Sequence, residues 1–311
     1  MARIVTLTLN PAVDVSTTTE HVEPEHKLRC TQVQRHPGGG GINVARVAHR
    51  LGASVLAVYP AGGLSGTVLG QLLDAEGVPH AALPIAGDTR ESFHVHENAH
   101  ARDWRFVLPG PTLAPAEWQA CLREALDPCE DLLVLSGSLP PGVPMDFYAQ
   151  AARAATAAGR RCVLDASGEA LAAGLAAPVF LVKPSLRELA ELTGHPLPDP
   201  ASRLQACRAL VARGATQWVA LSLGAEGAML VGADQAWFAQ ALTGPVASTI
   251  GAGDSLVGGL VAGIAAGATA SDAFRLGMAA SAAAVRTRGT ALGDAAEAKQ
   301  LAQEVALLPV Q

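Results

Sequence analysis

Six short runs set the terms for the whole chain: "RIVTLTL" from Arg3, "SVLAVYP" from Ser54, "DLLVLSG" from Asp131, "RCVLDAS" from Arg161, "VFLVKP" from Val179 and "QWVALSL" from Gln217. Most are nearly unbroken apolar stretches, the pattern of strands covered on both faces of a parallel sheet. Between them the patterning is helical, at 42–51, 67–76, 144–158, 186–193 and 201–213. Parallel strands need crossover connections and helices supply them. The series therefore predicts a doubly wound, mostly parallel α/β sheet flanked by helices.

Two segments depart from that pattern. Residues 14–36 and 88–108, including "ESFHVHE" and "DWRFVLPG", alternate apolar with polar or charged side chains, as half-exposed antiparallel strands do. They predict a small β lid over one end of the sheet. No linker, repeat or low-complexity segment divides the chain, so all 311 residues are expected to form one domain carrying that lid.

Half the residues are apolar and 16% are charged, against about 25% in an average globular protein. A net charge of −6 offers no basic surface, so a nucleic-acid partner is not expected. The five cysteines, Cys30, Cys121, Cys129, Cys162 and Cys207, are scattered without CxxC spacing, as reduced thiols of a cytoplasmic protein are. The opening "MARIVTLTLN" is too short an apolar stretch for a signal peptide. The uncharged run 255–271 is rich in Gly and Ala and bracketed by Asp254 and Asp272, so it reads as a core helix and not a membrane span.

"TIGAGDSLVGGL", from Thr249, sets a lone carboxylate, Asp254, at the head of that helix. A helix N-terminus carries free N–H groups and partial positive charge, so Asp254 is either a cap or a reactive group. Gly251 and Gly253, followed by Gly258 and Gly259, exceed what a cap needs, and suggest close approach to something bulky and anionic. "HPGGGGINVAR" places Gly38, Gly39, Gly40 and Gly41 before a helix with Asn43 in its first turn. That run is a ligand-contacting loop or a merely flexible one. "SLGAEG", with Ser222, Gly224 and Gly227, reads as a hairpin in preference to a phosphate-contacting turn. The chain has three lysines against 19 arginines, and Lys27 and Lys183 both lie beside candidate loops, where a compact charge suits phosphate.

"TLTLNPAVD", "PGGGGINVAR", "SGSLPPG", "VKPSLREL", "SLGAEGA" and "TIGAGDSLVGG" follow one another in an order that resembles the ribokinase-like (PfkB) carbohydrate kinases over nearly the whole chain. The resemblance implies phosphoryl transfer from ATP to a sugar phosphate. Asp254 would be the general base, with Gly251, Ala252 and Gly253 as the anion hole. Asp14, Gly38, Gly39, Asn43 and Ser138 would hold the sugar, and Arg90 with Lys27 or Arg29 its phosphate. Lys183, Ser185, Ser222, Gly224 and Gly227 would meet ATP, and Glu188 would hold Mg²⁺ through water.

The family motif NxxE becomes "SLRE" here, Ser185 replacing Asn, which implies weaker organisation of metal and phosphate. Carbonyls of Ser248, Ile250, Ala284 and Gly289 would offer a K⁺ site. Relatives that act on fructose 1-phosphate usually carry Lys where this chain has Gly40, so fructose 6-phosphate is the expected acceptor. Fructose 1-phosphate, tagatose 6-phosphate and a non-catalytic sensor remain as alternatives. Relatives pair their lids, which implies a homodimer through 14–36 and 88–108.

Overall fold

A computed structural model describes residues 2–310. Its strands, in chain order, are β1 (Ala2–Leu7), β2 (Ala12–Thr19), β3 (Thr31–Gly38), β4 (Val55–Ala61), β5 (His80–Pro84), β6 (Arg90–Glu97), β7 (Arg102–Val107), β8 (Cys129–Ser136), β9 (Arg161–Asp165), β10 (Val179–Val182), β11 (Thr216–Ser222), β12 (Gly227–Val231), β13 (Ala236–Gln240) and β14 (Leu308–Pro309). Ten of them form one sheet in the order β14-β13-β12-β11-β10-β9-β8-β1-β4-β5. Pairing is parallel from β11 to β5 and antiparallel from β11 to β14.

The helices are α1 (Gly40–Arg50), α2 (Gly63–Ala75), α3 (Pro115–Leu126), α4 (Phe147–Ala157), α5 (Gly168–Gly174), α6 (Leu186–Thr193), α7 (Pro200–Ala212), α8 (Ala252–Ala265), α9 (Ala270–Val285) and α10 (Ala295–Leu301). They cover both faces, which is why the strands are apolar without alternation. On β8, Leu133 and Leu135 pack with Phe147 of α4 and Leu171 of α5. The intervening Leu132 and Val134 face the other way, with Ile42 of α1, Leu256 of α8 and Phe274 of α9. Among the described residues no helix is long and apolar enough to cross a membrane.

The lid is a four-stranded sheet ordered β3-β2-β6-β7. Its outer pairs are antiparallel as the alternation predicts, but the central β2–β6 pair is parallel. The two strands come from distant parts of the chain, and alternation within each reports one buried face without reporting direction. Val13 and Val15 turn inward to the core, whereas every residue of β7 is exposed.

The run 255–271 forms most of α8, buried over 255–263, and its exposed turn into α9. The glycines there have a different cause from the one expected. A Cβ on Gly258 would lie 2.7 Å from Val47 of α1, and one on Gly259 would lie 2.6 Å from the Leu276 carbonyl of α9. These two serve close helix packing and not the approach of an anionic ligand, which corrects that reading.

Candidate active site

The carboxyl ends of the parallel strands converge on one crevice, the usual ligand position in such sheets. β9 ends at Asp165, β10 leads into Lys183, β8 into Ser138, and α8 presents its N-terminus from the opposite side. Gly251, at φ +76°, turns the chain into α8, a left-handed conformation for which glycine is suited. The amides of Gly253 and Asp254 have no backbone partner among the described residues. Two free N–H groups at a helix head form an anion-binding position.

Asp254 is held from across the chain. Asn43, in the first turn of α1, donates its Nδ2 proton to Oδ2 of Asp254 at 2.8 Å. Its Oδ1 accepts from Nη1 of Arg46 at 3.1 Å, which fixes which way the amide faces. Arg46 is fully buried, and its guanidinium also reaches the carbonyls of Pro37 and Thr290 and the carboxylate of Glu76. Burial pushes the Asp254 carboxyl above the ordinary carboxylate range, against the Asn43 hydrogen bond and the charge of Lys183.

Lys183 pairs with Asp165 at 3.0 Å, both side chains nearly covered. Burial alone would disfavour the ammonium, but Asp165, with Glu188 and Asp254 nearby, holds it above the ordinary lysine value. Burial pushes Asp165 up to about 6, with Lys183 opposing the rise and Asp254 and Glu188 adding to it. A Cβ on Gly253 would stand 3.4 Å from Lys183 Nζ, so the ammonium lies directly beside the anion position. The neighbourhood thus has more carboxylates than cations, all with hard oxygen donors. That set fits a phosphate-bound Mg²⁺.

Ser185 and Glu188 cap α6 reciprocally. The Ser185 hydroxyl accepts from the Glu188 amide at 3.3 Å, and Glu188 Oε2 accepts from the Ser185 amide at 2.8 Å. The capping role uses one Glu188 oxygen and leaves the other for hydrated metal. Ser222 donates its amide proton to the Pro184 carbonyl at 3.0 Å, so "VKPS" and "SLGAEG" are neighbours. The hairpin reading of that second motif holds: β11 turns through Gly224–Glu226 into antiparallel β12. Gly227 opens β12, where a Cβ would strike the Ala239 carbonyl of β13, whereas the same position on Gly224 points into open space.

On the lid side, Gly38 and Gly39 lie under Asp14 and Thr8. A Cβ on Gly38 would overlap the Asp14 carboxylate, and one on Gly40 would overlap the Ser136 hydroxyl. Asp14 is pushed upward by burial, with Thr290, Arg105 and Arg90 opposing. Ser138 Oγ accepts from Asn10 Nδ2 at 2.9 Å. Arg90 gives Nη1 to the Leu108 carbonyl and Nη2 to the Asn10 carbonyl, leaving its buried Nε without a partner. Thr8 Oγ1, Asn10 Oδ1 and Ser136 Oγ are likewise buried and unpaired. Unpaired buried polar atoms are uncommon, and their concentration here is a ligand's signature. Lys27 and Arg29 are exposed on the β2–β3 loop and are not brought to this cluster.

The stretches expected to offer K⁺ carbonyls do meet, since the amides of Ala247 and Ser248 both donate to the Val285 carbonyl. Ala284 suits that role less, because its carbonyl already accepts from the Thr287 amide and hydroxyl. Asp165 and Arg46 are the residues the motifs did not single out. Asp165 was visible as the acid closing an apolar strand, whereas nothing local marks Arg46. A cavity of about 780 Å³ lies at the opposite ends of β9 to β11, among Arg160, Phe180 and Trp218. It contains none of the residues assembled above.

A half-buried carboxylate in the first turn of a helix with free head amides, near a lysine and a β lid, defines a phosphoryl-transferring enzyme of ribokinase-like architecture. The pattern of the pfkB family carbohydrate kinases matches residues 4–297, and the chain belongs to that family. It is 43% identical over 296 residues to the ATP-dependent 6-phosphofructokinase isozyme 2 of Escherichia coli K12, covering 94% of this chain and 95% of that one. The crystal structure of Escherichia coli phosphofructokinase-2 in complex with substrates and products superposes with a TM-score of 0.93 at 40% identity, covering 97% and 99% of the two chains. The same enzyme in complex with potassium gives 0.92 at 40% identity, covering 98% and 99%.

Proposed function

We propose that this chain transfers the γ-phosphoryl group of ATP to the 1-hydroxyl of fructose 6-phosphate, giving fructose 1,6-bisphosphate and ADP. The observation that carries the reading is the position of Asp254, held by Asn43 in the first turn of α8, where the head amides are free. Asp254 takes the hydroxyl proton as that oxygen bonds to phosphorus and the bond to the ADP oxygen breaks. Amides of the 251–254 turn and the Lys183 ammonium receive the charge on the transferring group. Mg²⁺, held through water by Glu188 with Asp165 adjoining, supplies further charge neutralisation when bound.

Asp14, Asn43 and Ser138 with the Gly38–Gly39 backbone hold the sugar, and Arg90 takes its phosphate through the unpaired Nε. Ser185, Ser222 and Gly224 face the nucleotide, with Gly227 shaping the turn. K⁺ would rest on carbonyls of Ser248, Ile250 and Gly289. Gly40 favours fructose 6-phosphate over fructose 1-phosphate, because a lysine there would displace Ser136 from the sugar side.

The whole chain acts as one kinase domain with its lid. Trp104, Phe106, Val107 and Leu108 expose apolar surface on the lid. Such a face on an edge strand is suited to pairing with a second copy, hence a homodimer. Five free cysteines fit a cytoplasmic setting. A coupled ADP-release assay with fructose 6-phosphate, fructose 1-phosphate and tagatose 6-phosphate tests the reading. The highest kcat/KM is expected on fructose 6-phosphate; preference for either other sugar overturns the acceptor, and binding without turnover on any overturns the kinase.

A further inference from the structure

At the far end of the lid, away from Asp254, three side chains that no step of phosphoryl transfer uses come together. His21 follows β2, Glu97 ends β6 and His100 lies in the β6–β7 turn. One ligand atom from each lies within 4.8 Å of the others. The His21 and His100 rings meet edge to face with centroids 6.0 Å apart.

The backbone holds this group in place. β2 and β6 remain in register to the Thr19–Glu97 pair. Beyond it, the amides of Asn98 and Ala99 donate to the carbonyls of Thr19 and Glu20. Glu97 is only 2% exposed, an uncommon place for a carboxylate on a sheet that is otherwise open on this side. Its Oε2 accepts from the Trp104 indole at 3.1 Å, and its Oε1 accepts from the Val22 amide at 3.3 Å. These bonds orient the carboxylate, with His100 Nδ1 at 2.7 Å. The two histidines are exposed and free to change rotamer around it.

We infer that His21, Glu97 and His100 form a binding site for a Zn²⁺-class transition-metal ion, with water as fourth ligand. Two imidazoles and one carboxylate are a donor set Zn²⁺ accepts, at about 2.0–2.2 Å from the metal. Tetrahedral ligands at that radius are roughly 3.3 Å apart. The cluster reaches this spacing by small rotations of the two exposed rings, the His100 bond to Glu97 lengthening as both turn to the metal. The Trp104 indole then serves as the outer partner that orients the carboxylate. The ion would tie the β2–β3 loop, with Lys27 and Arg29, to the β6–β7 turn.

The test is Zn²⁺ binding to the chelator-treated full chain, without nucleotide or phosphate, by calorimetric titration and with Co²⁺ as a visible-absorption probe. Wild type is expected to bind one ion per chain at this site, to show tetrahedral Co²⁺ absorption, and to rise in Tm on Zn²⁺ addition reversibly with chelator. The double variant His21→Ala with His100→Ala alters only exposed side chains. It should bind at least roughly tenfold more weakly and lose the Co²⁺ band.

Two further variants address the other donors nearby. Cys30 is exposed on the same loop, and His96 contacts Asp103 at 2.9 Å on the same sheet. Cys30→Ser and His96→Gln should both retain the ion. Absence of stoichiometric binding to wild type, unchanged binding in the double variant, or loss that tracks Cys30 or His96 would overturn the assignment. None of these readouts depends on kinase turnover, so the inference stands or falls apart from the proposed reaction.

Discussion

Asn43 donates its side-chain proton to Asp254 at 2.8 Å across 211 positions of chain. The bond stabilises the ionised carboxylate and so works against the burial that raises its pKa. Removing it in Asn43→Ala leaves burial less opposed, and the pKa of Asp254 rises further. Because the base must be ionised, the acid limb of kcat/KM against pH should move to higher pH in the variant. A limb that stayed in place would show that Asn43 does not act on Asp254.

Arg46 acts one step behind that contact. Its guanidinium serves Asn43, two carbonyls and Glu76 at once, a set no single ammonium can reach. Arg46→Met leaves Glu76 and the Asn43 oxygen without their partner. It should cost about 3 kcal/mol in denaturant unfolding, the lower end for a broken buried pair because Glu76 is partly exposed. Arg46→Lys should recover only part of that loss.

Asp165 gives a stability signature. Its folded value, about 6, is above the ordinary 3.8, so the folded state holds its proton more tightly than the unfolded chain. The stabilising contribution is therefore full below pH 3.8 and is lost as pH rises through 6. Asp165→Asn should remove that dependence, so that the variant gains in Tm relative to wild type as pH rises from 3.8 to about 6. Parallel Tm profiles for the two proteins would contradict it.

Arg90 is anchored through both terminal nitrogens, and its buried Nε has no partner. Arg90→Ala should raise KM for fructose 6-phosphate about tenfold or more, since a charge-assisted bond to phosphate is worth roughly 1.5–3 kcal/mol. KM for ATP should hardly change. The reverse split would exchange the two phosphate positions.

The sheet was legible because burial on both faces is written into each parallel strand, and α6 falls at 186–193 as its pattern predicts. The short strands β12 to β14 were not, since antiparallel strands of only a few residues carry too little pattern to separate from loops. In the site, Asp254 and Lys183 stand out locally as single charges in apolar or glycine-rich surroundings, and Glu188 through its place in "SLRE". Arg46 does not, because its importance comes from partners at Pro37, Glu76 and Thr290 that only folding assembles. Gly258 and Gly259 misled for the same reason: a small residue looks alike whether a ligand or a neighbouring helix requires it.

The most direct measurement is turnover by Asp254→Asn, with ligand affinity and Tm on the same protein. Asn keeps the size of the side chain and can still accept from Asn43, and Asp254 is not the cap of α8, whose N-cap is Gly251 with no side-chain cap bond. A lost base should lower kcat by roughly two to four orders of magnitude while both substrates still bind. Since the folded pKa of Asp254 is raised, its ionised form burdens the folded state above that value, and the neutral variant should be as stable at neutral pH or more so. Turnover near that of wild type, in a folded protein that binds both substrates, would contradict the assignment of Asp254 as the base.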